Sequence, residues 1–145
     1  MLTIRPLTRE DIAQVCELEE MAFSMPWKEA DFLDMLVNPD ALYLVAEEDG
    51  VIVASCGLRH IVGEGDISNV VVRPQYRRRG IAKGMLTKLI EEGKERFGIT
   101  AYTLEVRKNN KDAVFLYETL GFVTEGIRKN FYEKPVEDAL IMWKR

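Results

Sequence analysis

The sequence is poor in the features that mark secreted, membrane-spanning and metal-dependent proteins. It has only two cysteines, Cys16 and Cys56, and one histidine, His60, among 145 residues. Both cysteines lie in apolar surroundings, which favours buried free thiols over a disulfide or a metal pair. No apolar run is long enough to cross a bilayer, and the first residues lack the apolar core of a signal peptide. We therefore expect a cytoplasmic protein with no metal and no membrane contact.

The chain also lacks an excess of positive charge. Its 20 Lys and Arg residues are outnumbered by 24 Asp and Glu residues, which gives a formal net charge of −4. Proteins that bind nucleic acid generally carry a basic face and a high isoelectric point, so direct nucleic-acid binding is not expected. No linker, repeat or low-complexity stretch divides the chain. Its length suits one domain over residues 1–145 with a core of its own.

Hydrophobic periodicity predicts a mixed α+β fold, with about four helices packed on a central sheet of about seven strands. Asp49-Gly50 predicts a hairpin turn, Glu64-Gly65 a second turn, and Gly98 the end of a long helix. Thr8 and Asp11 have the spacing of a capping box. The predicted strands cover residues 2–5, 42–47, 51–58, 66–72, 102–106, 122–125 (with an extension to 128 as the alternative) and 139–143. The apolar helical stripes cover 12–22, 32–37, 81–97 and 110–120.

The most informative stretch is Arg77-Arg78-Arg79-Gly80-Ile81-Ala82, between a predicted strand and a predicted helix. The first N–H groups of a helix have no partner inside it, and the helix dipole adds partial positive charge there. A phosphate or pyrophosphate is the expected guest. Neither a P-loop nor a dinucleotide fingerprint is present, because their glycine spacings are absent. A run of arginines is usually a solvated surface, but its place at a strand-to-helix turn favours a phosphorylated cofactor.

This stretch belongs to a longer pattern that resembles the GNAT superfamily of acetyl-CoA-dependent N-acetyltransferases. The pattern is Val70-Val71-Val72-x-Pro74 followed by Arg77-x-x-Gly80-x-Ala82, with Ala82 in place of the commoner glycine. The resemblance implies a GNAT fold with a mostly antiparallel twisted sheet, and acetyl-CoA as cosubstrate. It further implies that backbone N–H groups of residues 77–82 hold the pyrophosphate. The strand over 69–72 would pair with the pantetheine arm, and the N–H of Val71 would polarise the thioester carbonyl.

Within the superfamily, the later part of the chain resembles the RimI group, whose members acetylate the N-terminal alanine of a small-subunit ribosomal protein. The matching residues are Leu104-Glu105-Val106-Arg107, Asn110, Ala113, Leu116-Tyr117-Glu118, Leu120-Gly121-Phe122, Arg128-Lys129-Asn130-Phe131-Tyr132 and Glu137-Asp138-Ala139, with Pro26-Trp27 near the start. The resemblance implies a protein N-terminus as substrate, most simply that of a ribosomal protein. Some relatives associate with a tRNA-modification complex, which is a possible partner.

The resemblance assigns two catalytic residues. Glu105 is the predicted general base for an α-amine, whose ordinary pKa is about 7.7–8.0. Tyr117 is the predicted general acid for the departing thiolate, and it also contacts the cofactor. The alternatives are an arginine partner for Glu105 and a plain core position for Tyr117. Asn110 is predicted to bond the cofactor arm, with an ordinary helix N-cap as its alternative.

Aromatic residues in two predicted loops would line the peptide channel. Phe131 and Tyr132 are expected in the loop before the last strand, and Trp27 between the first two helices; plain packing is the alternative. Glu20 and Arg107 are possible helpers at the amine and at Glu105. Two other functions stay open: acetylation of a small amine, and a non-catalytic acyl-CoA-binding module.

Overall fold

A computed structural model describes residues 1–145 as one seven-stranded sheet with four helices. The strands are β1 Leu2–Pro6, β2 Ala41–Glu48, β3 Val51–Ile61, β4 Glu64–Val72, β5 Ala101–Arg107, β6 Val123–Tyr132 and β7 Glu137–Lys144. The helices are α1 Ile12–Ala22, α2 Glu29–Val37, α3 Ile81–Phe97 and α4 Lys111–Thr119. None of these helices is long and apolar enough to cross a membrane. The predicted mixed α+β class, with its strand and helix numbers, is confirmed.

The strands follow the order β1-β2-β3-β4-β5-β7-β6 across the sheet. Every neighbouring pair is antiparallel except β4 and β5, which run parallel. That pair is joined through α3, as a parallel connection requires. The sheet is therefore mostly antiparallel, and its one parallel junction lies at the centre.

Two apolar clusters, one on each face of the sheet, form the core. One cluster joins the sheet to α3 and α4 through residues such as Leu44, Met85 and Leu104. The other joins β2, β3 and β4 to α1 and α2 through residues such as Val15, Phe32 and Val45. Leu44 and Val45 are adjacent in β2 and lie in different clusters because successive side chains of a strand point to opposite faces.

Several local signals in the sequence correspond to the observed chain. Thr8 and Asp11 form the predicted capping box, in which Asp11 Oδ2 accepts the Thr8 N–H at 2.8 Å. Asp49 and Gly50 both have positive φ and join β2 to β3, as their dipeptide predicts. Gly98 ends α3 in the left-handed conformation, with φ of 67°.

Two predicted connections differ from the observed chain. The predicted turn at Glu64-Gly65 is wrong, because the chain turns at Val62 and Gly63 and β4 already begins at Glu64. Gly65 serves close packing instead: a Cβ there would lie 2.8 Å from Cδ1 of Tyr102. The predicted loop at Phe131 and Tyr132 is also wrong. β6 continues to Tyr132, which pairs with Glu137 across a short hairpin.

Candidate active site between β4 and β5

The parallel strands β4 and β5 separate after a short pairing. Only Glu64–Asp66 pairs with β5, at Ala101–Thr103, whereas β5 stays paired with β7 as far as Arg107. Residues 67–72 therefore have no strand partner on the β5 side. An extra residue in β4 also forms a bulge at Asn69, whose φ is 58°. The result is a gap between two strands with an unpaired backbone edge, which fits the predicted added strand of a pantetheine arm.

The loop before α3 presents free backbone donors at one end of this gap. Gly80 is the N-cap of α3, has φ of 75°, and would place a Cβ in open space. The backbone N–H groups of residues 78–83 donate to no protein acceptor, and the first N–H to find one is that of Gly84, 3.0 Å from the Gly80 carbonyl. Six free N–H groups at a helix N-terminus fit a pyrophosphate.

The arginines of the loop differ in their surroundings. The Arg77 N–H donates to the Pro74 carbonyl at 3.3 Å, so it is engaged, and the free donors begin one residue later than predicted. The Arg79 guanidinium lies 4.9 Å from the centre of the Tyr76 ring and 3.6 Å from Glu48. Arg78 has a positive φ of 65°. The side chain of Ile81 is buried in the cluster under α3 and anchors the start of that helix.

Glu105 lies on the part of β5 that borders the gap. Its neighbours Leu104 and Val106 are buried on the opposite face, as alternation predicts. Arg128 of β6 places Nη1 3.4 Å from Glu105 Oε2, which is shielded from solvent and has no hydrogen bond. Burial raises the pKa of Glu105 and the negative charge of Asp66 adds to this, while Arg128 opposes it. A carboxylate with a raised pKa is a better match for the proton of an amine.

Tyr117 lies within the core on α4, and only 6% of it is exposed. Its ring meets Phe122 edge-on with ring centres 6.0 Å apart, and its hydroxyl has no hydrogen-bond partner in the protein. Burial raises its pKa well above the ordinary value for a phenol. The side chain is therefore protonated at neutral pH, the form that an acid needs. Tyr117 is therefore packed as a core residue, which is the alternative to a catalytic role. This packing is compatible with the predicted role as an acid.

Asn110 is the N-cap of α4, which is the alternative to cofactor binding that the sequence indicates for this residue. Its Oδ1 accepts the Ala113 N–H at 3.2 Å. The residue lies in the loop after β5, on the side of the gap where β5 ends. Its second amide atom, Nδ2, has no partner in the protein, so a cap and a cofactor contact are compatible.

The aromatic pair at the end of β6 converges on the same site, although from a strand. The Arg107 guanidinium lies 4.4 Å from the centre of the Tyr132 ring, and Arg128 lies 5.3 Å from that of Phe131. Burial raises the pKa of Tyr132 to about 12, and the Glu105 charge contributes to the rise. Tyr132 and Glu105 are therefore near each other, as the predicted channel requires.

Trp27 is packed rather than projecting. Its ring lies 5.4 Å from the Phe32 ring and 6.3 Å from the Tyr43 ring, and Arg59 covers it at 5.6 Å. These contacts match the alternative of plain packing, in which Trp27 fixes the α1–α2 loop against the core. A role in lining the channel would then fall to that loop rather than to the indole alone.

Arg107 links the two loops that border the site. Its guanidinium donates to the carbonyl oxygens of Glu133 and Pro135, each at 3.0 Å, and to Glu137 at 3.2 Å. Ser24 of the α1–α2 loop donates to the Glu133 carbonyl at 3.1 Å. Arg107 thus holds the β6–β7 hairpin, and the partner of Glu105 is Arg128 rather than the predicted Arg107. Sequence alone gave no signal for the Ser24 contact, which joins residues 109 positions apart.

Glu19 is a polar residue of the site that the sequence did not single out. It is 1% exposed, and its Oε1 accepts a hydrogen bond from Nδ2 of Asn69 at the β4 bulge. The neighbouring Glu20, a predicted helper, is exposed on the other side of α1. The only available signal was the spacing of Glu19 from Val15, which places it on the buried stripe of α1.

Comparison with known proteins identifies the family. The family model described as the acetyltransferase (GNAT) family matches residues 12–122. The ribosomal protein bS18-alanine N-acetyltransferase of Escherichia coli is 34% identical over 98% of this chain and 96% of its own. The N-alpha-acetyltransferase RimI of Mycobacterium tuberculosis is 33% identical over 97% and 90%. The crystal structure of the E. coli ribosomal-protein-S18-alanine N-acetyltransferase covers 99% of this chain and 93% of its own, at 33% identity and a TM-score of 0.89.

These matches confirm the resemblance that the motifs indicated. Acetyltransferases of this family take their acetyl group from acetyl-CoA. The gap between β4 and β5 and the free donors before α3 are compatible with that cosubstrate. The chain belongs to the GNAT acetyltransferase family.

Proposed function

We propose that this protein transfers an acetyl group from acetyl-CoA to the N-terminal α-amine of a protein, and that its substrate is a ribosomal protein beginning with alanine. The observation that carries the proposal is the gap between β4 and β5. One end has free backbone donors, one side is the unpaired edge of residues 67–72, and the other side bears Glu105. The names of the two relatives that match over nearly the whole chain support the choice of acceptor.

The residues of the gap divide the chemistry between them. The free N–H groups of residues 78–83 bind the pyrophosphate, and the edge of Val70, Val71 and Val72 holds the pantetheine arm. Val71 pairs with Ser55 of β3, in a ladder in which the N–H two residues on, that of Arg73, bonds a β3 carbonyl at 2.8 Å. By alternation the predicted donor, the Val71 N–H, therefore faces β3. The Val70 N–H faces the gap instead, and it stabilises negative charge on the thioester oxygen.

Glu105 removes a proton from the α-ammonium, directly or through water. The amine nitrogen then bonds the acetyl carbon as the carbon–sulfur bond breaks, and Tyr117 donates its proton to the sulfur. The second proton that the nitrogen loses restores the Tyr117 phenol through solvent.

The acceptor is proposed to enter from the face that Arg107 organises. There the α1–α2 loop meets the β6–β7 hairpin through Ser24 and Glu133, beside the rings of Phe131 and Tyr132. Aromatic rings at such a position bury area on a peptide at small entropic cost. A polyamine would instead call for a row of carboxylates. Here Arg128 pairs with Glu105 and Arg107 lies against the Tyr132 ring, and both cations repel a polycation.

The experiment that tests the proposal is acetyl-CoA turnover against matched peptides. The panel has free Ala-, Ser- and Met-initiated peptides, the same peptides with a blocked N-terminus, and a blocked peptide with an internal lysine. We expect turnover on the free Ala-initiated peptide that disappears on blocking. Turnover on the internal lysine or on spermidine alone would establish a different acceptor. Binding of acetyl-CoA without turnover on any amine would favour a non-catalytic acyl-CoA module.

The cellular setting is part of the same proposal. A ribosomal substrate implies a cytoplasmic enzyme, because ribosomal proteins meet the ribosome there. Association with a tRNA-modification complex is a separate prediction, and recovery of such proteins with the tagged chain from its native cells would support it. Direct nucleic-acid binding is not proposed, and a salt-sensitive shift of labelled RNA by the purified chain would contradict that expectation.

A further inference from the structure

Glu19 is a buried carboxyl group with few partners. It lies on α1 at 1% exposure, beside the apolar side chains of the cluster under α1 and α2, and it forms no salt bridge. Its partner in a hydrogen bond is Asn69 Nδ2, and the backbone N–H of Trp27 also acts on it. Burying an ionisable group in apolar surroundings costs stability, and an apolar side chain of similar volume would avoid that cost.

Asn69, the hydrogen-bond partner of Glu19, has an unusual backbone conformation. Asn69 has a φ of 58° and lies at the bulge, where three residues of β4 advance against two of β3. The bulge changes which face each residue occupies. Ile67 is buried in the cluster under α3 and α4, whereas Val71, four residues later, is buried under α1 and α2. The bulge therefore sets the direction in which the Val70 N–H faces the gap, next to Val71, which pairs with Ser55 of β3.

Glu19 also connects this bulge with the loop on the acceptor side. Trp27 follows α1 in the chain, and its ring is fixed between Phe32, Tyr43 and Arg59. A single carboxyl group thus accepts a hydrogen bond from the strand proposed to bind the thioester and lies near the backbone of the loop proposed to border the amine. Asparagine tolerates the left-handed conformation better than most residues, yet the conformation still needs support from its surroundings.

We propose that Glu19 is a positioning residue for acetyl transfer: by holding Asn69 at the bulge, it aims the Val70 N–H at the thioester carbonyl and keeps the Trp27 loop in register with it. The inference rests on the proposed function for its chemistry. Glu19 itself does not touch the reacting atoms. It acts through the peptide groups of β4, whose alignment decides how well they stabilise the developing charge.

The ionisation of Glu19 predicts a pH dependence of kcat that the test can measure. Burial raises its pKa to about 7, Asp31 adds to the rise, and Asn69 and the Trp27 N–H oppose it. The titratable groups that face it are Asp31 of α2, Tyr43 of β2 and Cys16 of α1. A carboxylate accepts from both donors, whereas the protonated acid gives up part of its accepting capacity. The positioning should therefore improve as pH rises through about 7.

The first arm of the test is kinetic. In Glu19→Gln, we expect kcat to fall by about ten- to hundredfold, the effect of a misplacement near 1 Å, while the Kd for acetyl-CoA stays near that of the parent and the Tm is not lowered. Apart from the rise that titration of the base Glu105 causes, the rise of kcat near pH 7 should be absent from this variant. It should be retained in the matched control Glu10→Gln, which changes an exposed carboxylate just before α1. An unchanged kcat in a stable Glu19→Gln enzyme would overturn the proposal.

The second arm asks whether Glu19 acts through Asn69. Asn69→Ala should lower kcat similarly, and the double variant should be no worse than either single one, because both break the same contact. Multiplicative losses would show two independent effects and overturn the proposal. This arm also decides the outcome if Glu19→Gln is poorly folded.

The third arm needs no substrate. The backbone amide signals of Val70 and Val71 in nuclear magnetic resonance spectra should shift in Glu19→Gln and in Asn69→Ala, and stay in place in Glu10→Gln. Unmoved signals would overturn the proposal. A parent enzyme that acetylates no free peptide N-terminus would contradict the proposed function instead, and the amide signals would then decide alone whether Glu19 holds the bulge.

Discussion

The two halves of the sheet differ in how they are covered. In the covered half, β1 to β4, helices lie on both faces, and most of β2 and β3 is buried. In the open half, β5, β7 and β6, one face is packed on the core and the other carries Glu105, Arg107 and Arg128, and most of β6 is exposed. The covered half provides stability, and the open half provides polar groups at a depth where a ligand can reach them. The gap lies where the two halves separate.

The largest effect on activity is expected on removing the carboxylate of Glu105 in the open half. Glu105→Gln should lower kcat/KM by about 10²–10⁴-fold, because the amine loses its base. The Tm should change little, since Glu105 has only one ion pair and a partly exposed face. Steady-state kinetics and thermal unfolding check both parts. Glu95→Gln on the exposed side of α3 is the control, and an equal loss in it would contradict the assignment.

The reverse experiment removes a ring from the covered half. Phe32→Ala should destabilise the protein by about 3–5 kcal/mol, because a fully buried ring packed on Trp27 and Tyr43 leaves a cavity. The matched variant is Phe115→Ala in α4, where the ring is 68% exposed and the change should be within about 0.5 kcal/mol. Urea unfolding measures both. Equal losses would mean that the two halves are not as different as their burial implies.

Sequence patterns predicted the covered half better than the open half, for a physical reason. Apolar periodicity identified the four helices and the strands that lie between them, because burial on known faces dictates residue type. Gly65 was predicted as a turn because the sequence does not distinguish a glycine required for close packing, here against Tyr102, from a glycine required for a turn. β6 was predicted too short because its exposed residues carry no apolar alternation.

The candidate site was predictable only where residues act through local structure. The Gly80 turn and Asn110 cap follow from short motifs, and Glu105 from its place in the alternation of β5 together with the family resemblance. The Arg128–Glu105 pair, the Ser24–Glu133 contact and the Glu19–Asn69 contact join distant segments. No spacing in the chain reports such contacts, since each depends on which strands become neighbours in the sheet.

Tyr117 tests whether one residue can serve both regions, because it packs in the core and is proposed to act in the site. Tyr117→Phe keeps the ring against Phe122 and removes a hydroxyl that has no protein partner, so the free energy of unfolding should change little. If the hydroxyl is the acid, kcat should fall by about a hundredfold, with the Kd for acetyl-CoA nearly unchanged. Equal loss of turnover and affinity would contradict the acid role.

The proposed pyrophosphate site allows a closely matched pair of glycine variants. Gly80 and Gly98 both have positive φ, stand at opposite ends of α3, and have open space where a Cβ would be. Gly80→Asp places a negative charge among the free N–H groups, so acetyl-CoA affinity should fall by about tenfold. Gly98→Asp meets a similar backbone strain far from those groups and should leave affinity unchanged. Calorimetric titration of both variants checks this, and equal affinities would contradict the placement of the pyrophosphate.

The smallest expected effects concern two buried carboxyl groups of the covered half, which should act in opposite directions as pH changes. The Arg5 guanidinium holds the pKa of Asp11 below its usual range. Its stabilisation is therefore present above about pH 3.9, the ordinary pKa of an aspartate, and is lost as pH falls through the lowered value. Glu19 has a raised pKa of about 7. Its contribution is full below about pH 4.3 and declines as pH rises to about 7.

The Tm measured from pH 2 to 8 should therefore pass through a maximum between these two windows. Asp11→Asn should flatten the acid side of the curve of Tm against pH. Glu19→Gln should flatten the side between about pH 4.3 and 7, so each variant reports on one carboxyl group. Asp34→Asn is the control for the acid side, because that carboxylate is 63% exposed and its nearest cation, Arg59, is 3.8 Å away. An acid side equally flattened in Asp34→Asn would show that surface charge, rather than the Arg5–Asp11 contact, governs the loss of stability in acid.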